Sequence, residues 1–256
     1  MSNRSRNIIV ATLLLAHAGL LVEGARRNFV VLDEVGHVPS GLRHWRSGTF
    51  TDYQVNPPLA RMLAALPLLL ADPSIDLNPS EIQPGDRPEW PLGLDFIKRN
   101  PASYFKLVRL ARVSTIAWSV LGGWLIGRWC RELYGASASC LAVALWCFDP
   151  TILAFAQVVT PDIPATTAGL AAAYSFWRFL RRPSMGWVIA SGTLLGIAQL
   201  SKFTLIVFYA IWPFLALSSI VGIDQGGEPG SVSRRRRLIL TLLILLLGVL
   251  ERFSFD

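Results

Sequence analysis

Apolar stretches near the length of a bilayer crossing recur along this chain, and they limit its fold more than any other feature. They fall at about 8–22, 107–129, 137–158, 163–180, 187–200, 204–221 and 238–250. A crossing takes about 20 mainly apolar residues, and in hydrocarbon only helices and closed barrels satisfy their own backbone groups. Of the 256 residues, 52% are hydrophobic and only 16% are charged, too few to supply the polar surface of a soluble domain this long. The expectation is an all-α polytopic membrane protein, a single domain over residues 1–256 with about seven spans.

One connection is long. Residues 23–106 form a mostly hydrophilic loop interrupted by an apolar piece at 59–71, too short to cross and suited to a helix lying in the interface. Pro73, Pro79, Pro84, Pro88, Pro91 and Pro101 follow and predict an extended segment without a long helix. Arg4 and Arg6, Arg128 and Arg131, Arg178 with Arg181 and Arg182, and the run 234–237 fall on alternate connections, whereas 148–161 holds no Lys or Arg. The positive-inside rule then puts the N-terminus in the cytoplasm and the long loop outside it. Arg26 and Arg27 run against this, but they open a loop long enough for the rule to be weak.

The first stretch admits two readings, a retained span or a signal peptide; His17, Glu23 and the following arginines favour the span. The net charge of +7 sits at span ends, where it sets topology or meets lipid headgroups, so nucleic acid is not an expected partner. Cys130, Cys140 and Cys147 lie in or beside spans, without the spacing of a zinc site or the even number of a disulfide framework. The last apolar stretch is short and the sequence stops soon after, at Asp256, which reads as a truncated frame or a fragment.

Polar residues near the outer surface are the candidates for chemistry. Asp33 and Glu34 follow the first span, and Asp33 serves there either as a helix cap or as a catalyst. His37 is four residues on, so on a helix it shares a face with Asp33 while Glu34 points elsewhere. Asp-Glu-x-x-His lacks the first histidine of the zincin pattern, and no phosphate-binding glycine loop accompanies it. Asp162, between Pro161 and Pro164, is a helix cap or a second functional acid, and Asp149 reads as a turn residue. Lys202, Arg109 and Arg112 either snorkel to the interface or bind an anion such as a lipid phosphate.

Asp33-Glu34 with His37, then "NPPL" before an interfacial helix, "LARVSTIAW", "DPTILAFAQVVTPDIPAT" and "GIAQLSKFTLIV" occur in a consistent order from about residue 31 to 207. This set resembles the integral-membrane glycosyltransferases of the C-type fold, and within them the protein O-mannosyltransferases and aminoarabinose transferases. The resemblance implies transfer of a sugar from a polyprenyl-phosphate carrier to an extracytoplasmic acceptor, whether protein, lipid or glycan. It implies Asp33 as general base, with Glu34 positioning acceptor or base and Asp162 holding acceptor or sugar. His37 would line the site, and Arg112 and Lys202 would bind the carrier phosphate. Where that family often carries His or Lys before Pro-Pro, this chain has Asn56, with Arg61 a turn later as the substitute cation.

The family is usually longer, so the chain reads as the N-terminal, motif-bearing half, inactive alone or dependent on a partner subunit. No cofactor is assigned; a divalent metal is compatible with the acids and not required by them. Membrane lipids are expected partners. The competing function is a non-catalytic membrane protein, either transporter-like or a remnant of such an enzyme. Transport is disfavoured because the acids lie at span ends while midspan positions are almost purely apolar.

Overall fold

The apolar runs fold as helices, and local chemistry decides where each one breaks. The computed structural model describes residues 1–78, 85–223 and 234–252. Its α-helices are α1 (Asn3–Arg27), α2 (Leu32–Ser47), α3 (Leu59–Ala71), α4 (Glu89–Arg99), α5 (Tyr104–Tyr134), α6 (Ala136–Phe148), α7 (Pro150–Phe155), α8 (Asp162–Arg181), α9 (Met185–Ser201), α10 (Phe208–Ile223) and α11 (Arg234–Arg252). A 3₁₀ turn, Phe203–Val207, precedes α10, and no strand occurs among the described residues.

Seven spans were expected; among the described residues, two helices, α1 with 25 residues and α5 with 31, are long and apolar enough to cross a bilayer as single helices. The stretch expected as one span at 137–158 is instead broken into α6 and α7. Pro150 has no N–H to continue the helix, and the Asp149 carboxylate caps the next one by accepting the Ile152 amide at 2.9 Å. The expected interfacial helix at 59–71 is α3, with 13 residues. The proline-rich segment does contain a helix, α4, because Pro88 and Pro91 fall before and within its first turn, where a missing N–H costs nothing. Pro79, Pro84 and Asp256 lie outside the described residues.

The chain divides into two compact units, Met1–Thr167 and Ala168–Asp256. In the first, α1 packs on α5 and α6, and α2 packs on α3 and α4. His17, wholly buried, ties three helices: Nδ1 bonds the Cys147 carbonyl and Nε2 bonds Ser119 Oγ, both at 2.9 Å. Val38, Leu42, Ala65, Leu68, Phe96, Val108 and Ala111 form one apolar core that joins α2, α3 and α4 to the start of α5. Pro39 leaves the Val35 carbonyl without its helical donor, and α4 crosses there at Gly93, where a Cβ would sit 2.4 Å from that oxygen. In the second unit α9 packs on α11, and Phe176 stacks on Trp212 with ring centroids 4.2 Å apart.

Candidate active site

The site is organised by the first turn of α2. Glu34 is fully buried, and its carboxylate has no acceptor capacity left over. Oε1 accepts from Arg112 Nε at 2.7 Å and from the Val159 amide at 3.0 Å; Oε2 accepts from Arg112 Nη2 at 2.6 Å and from the Val31 amide at 3.0 Å. Arg112 is equally committed. Its remaining N–H groups donate to the carbonyls of Ala25 at 2.7 Å, Asn28 at 3.0 Å and Phe29 at 2.9 Å, which accounts for all five guanidinium donors. The pair clamps the end of α1, the start of α2, α5 and the turn before α8 onto one point. Glu34, expected to position acceptor or base, and Arg112, expected to bind the carrier phosphate, are each other's partners.

Asp33, one residue earlier, is exposed on the other side of the turn, at the positive end of α2. Helical spacing puts Gly36 and His37 on its face. His37 is buried, stacks on Tyr53 with centroids 4.5 Å apart, and pairs through Nε2 with the Tyr53 hydroxyl at 3.3 Å. Burial, reinforced by the nearby Arg61 charge and opposed by Asp162, holds the His37 imidazole down at about 3, so the ring is neutral near pH 7. Burial pushes the Tyr53 phenol up; a side-chain hydrogen bond with Asn56 opposes that, and the charges of Asp33 and Glu89 reinforce it. Tyr53 and Glu89 both lie against Gly36, while the charge of Asp33 is felt at Tyr53 and that of Asp162 at His37. Asp162 itself is half-buried at the first position of α8.

Arg61 is buried rather than offered to an anion. Nε donates to His44 Nε2 at 2.8 Å, Nη1 to the carbonyls of Asn56 at 2.7 Å and Pro57 at 3.0 Å, and Nη2 to the Tyr53 carbonyl at 2.7 Å. Its guanidinium also lies 4.6 Å from the Tyr53 ring centroid. Burial, only partly offset by Tyr53, Glu89 and Asp52, lowers Arg61 to about 10. Arg61 therefore holds the turn before α3 against α2. Lys202 belongs to the second unit, half-buried at the end of α9.

Tyr53 and Glu89 were not among the expected site residues. Glu89 opens α4, is buried, and ion-pairs with Arg87. Gly36 makes room for both: a Cβ there would lie 3.2 Å from Glu89 Cγ and 3.3 Å from Tyr53 Cε2. An acid between prolines, "RPEWP", was the available sequence signal for Glu89; Tyr53 carried none beyond its nearness to "NPPL". Among the described residues no three His, Cys, Asp or Glu side chains are grouped as metal ligands.

Residues 107–223 match the family described as dolichyl-phosphate-mannose-protein mannosyltransferase. The whole chain superposes on part of a chain in the Saccharomyces cerevisiae protein O-mannosyltransferase Pmt1–Pmt2 complex bound to the sugar donor. The TM-score is 0.76 and the identity 19%, with 100% of this chain and 34% of that one covered. At that identity the likeness is one of fold. Comparison with curated protein sequences gives no match. The chain thus resembles the protein O-mannosyltransferase group of the C-type membrane glycosyltransferases, in sequence over α5 to α10 and in fold throughout.

Proposed function

We propose that a chain with this fold and this family segment transfers a sugar from a polyprenyl-phosphate carrier to a hydroxyl or amine on an extracytoplasmic protein, lipid or glycan, with Asp33 as general base. The observation that carries the reading is the contrast between two adjacent acids. Glu34 is consumed by a buried clamp, and that clamp leaves Asp33 exposed at a fixed point on the face shared with His37. A carboxylate held that way needs only hydrogen-bond reach to an acceptor to take its proton.

In the step, the acceptor proton passes to Asp33 as the acceptor oxygen or nitrogen bonds to the anomeric carbon. The bond from that carbon to the carrier phosphate breaks, and its electrons leave with the phosphate; direct displacement inverts the anomeric centre. Asp162 holds the acceptor or the sugar, and neutral His37 lines the site. Glu34 and Arg112 act as positioning residues, and Asn56 with Arg61 shapes the Tyr53 turn that borders the site. The resemblance assigns Lys202 to the carrier phosphate, where a fixed cation favours the transition state over the ground state. The protein sits in the cell (inner) membrane with its N-terminus cytoplasmic and this site outside, as its basic residues suggest.

Asp33→Asn keeps the shape and removes the base. Turnover is expected to fall by about 10²–10⁴-fold with donor binding unchanged. Unchanged turnover would remove Asp33 from the chemistry, and lost donor binding would make it a binding residue instead.

A further inference from the structure

Outside the site just described, the end of α1 and the first turns of α5 enclose a cavity of about 260 Å³. Its walls include Arg27, Phe29, Phe105, Val108, Arg109 and Arg112. The Arg112 charge is answered by Glu34 and its donors are used up, so it adds no free donor there. Arg27 pairs with Glu23 on its own helix, and both side chains are exposed enough to exchange partners. Arg109 is exposed, one turn before Arg112, and makes no hydrogen bond or ion pair among the described residues. Beside these cations, Phe29 and Phe105 meet with centroids 5.4 Å apart, and Val108 adds to the apolar part of the lining.

Cations and apolar side chains lining one cavity suit an anion attached to a hydrocarbon body. The helices that form the cavity are both long and apolar enough to cross a membrane, which puts their ends at headgroup depth. Arginine grips phosphate with paired donors, which a lone exposed guanidinium retains in full. The volume is below the roughly 300 Å³ at which drug-sized ligand sites begin, enough for a phosphate and its first carbons but not for a lipid-linked sugar.

We propose that this cavity is a binding site for the phosphate of a membrane lipid, with Arg109 as its main cation, Arg27 as the second, and the Phe29–Phe105 wall against the lipid stem. The inference rests on α1 and α5 being membrane spans and needs nothing from the transfer reaction. The phosphate belongs either to an anionic phospholipid or to a polyprenyl phosphate.

The test uses the full chain purified in a neutral detergent and titrated with phosphatidylglycerol, phosphatidylcholine or polyprenyl phosphate, following its melting temperature and tryptophan fluorescence. Phosphatidylglycerol or polyprenyl phosphate is expected to bind and to raise the melting temperature, while zwitterionic phosphatidylcholine does not. Arg109→Gln should weaken that binding about tenfold. Arg27→Gln should weaken it less, and Lys106→Gln, at an exposed cation on the same helix outside the cavity, should leave it unchanged. Binding by polyprenyl phosphate alone assigns the site to the carrier, and binding by phosphatidylglycerol assigns it to bulk lipid. Equal response to phosphatidylcholine, no response to either anionic lipid, or full binding by Arg109→Gln overturns the proposal. Since no turnover is measured, failure here leaves the Asp33 reading untouched, and the reverse also holds.

Discussion

Asp33 and Glu34 are neighbours with opposite surroundings, and the difference can be measured. Glu34 and Arg112, respectively 0% and 1% exposed at their side chains, form a pair whose members cannot be removed singly without burying a bare charge. Glu34→Leu or Arg112→Leu alone should cost about 3–5 kcal/mol, while the two together should recover much of that loss. A double-mutant cycle on the melting temperature reads the coupling. Loss of donor affinity on Arg112→Leu with no loss of stability would return Arg112 to the phosphate. Two buried histidines set the acid side of stability in the same segment. Burial and the Arg61 charge hold His37 at about 3 and His44 at about 4, with a hydrogen bond to the Thr49 carbonyl opposing the effect at His44. The unfolded chain takes up these protons near pH 6.5 and the folded chain refuses them. Stability is therefore full above that pH and falls by about 1.4 kcal/mol per unit for each histidine as the pH drops toward the folded values. Hydrogen exchange in α2 should accelerate at pH 5 relative to pH 7, and a rate profile explained by base catalysis alone would contradict this.

At the scale of elements, α2 and α4 show how tertiary packing overrides local preference. With Pro39, Gly36 and Gly41 in its sequence, α2 is a poor helix by propensity, and its length was not legible beforehand. Burial of Val38 and Leu42 against α3 and α4 holds it, and the glycines that weaken it locally admit Glu89, Tyr53 and the α3 backbone. Gly93→Ala would drive a methyl into the Val35 carbonyl, which as backbone cannot swing aside. It should cost about 1–3 kcal/mol and loosen α4 from α2, seen as faster proteolysis of the segment around residues 85–99; unchanged proteolysis would count against the packing described. The sequence did show α3 and the start of α8, because in both an apolar run meets a proline or a polar boundary. The break between α6 and α7 was half legible: Asp149 reads as a turn residue, yet hydrophobicity continues across Asp149 and Pro150 and makes 137–158 read as one span.

For the whole molecule, the membrane reading was legible from composition and accords with where the apolar surface lies. Only 22% of the apolar window of α1 is buried, and Leu70 on α3 is 93% exposed, a surface that water would penalise and hydrocarbon would not. The separation of Asp33 from Glu34 across the helix was legible too, from spacing alone. The Glu34–Arg112 clamp was not, since 78 residues separate its partners and no periodicity links them. The same holds for Arg61, whose carbonyl partners at Tyr53, Asn56 and Pro57 leave no mark in the sequence. The account stands or falls on transfer. In proteoliposomes supplied with a labelled polyprenyl-phosphate sugar and an acceptor, the wild-type chain should form labelled product only when both are present, and Asp33→Asn should form almost none. Equal labelling by wild type and Asp33→Asn would contradict the account.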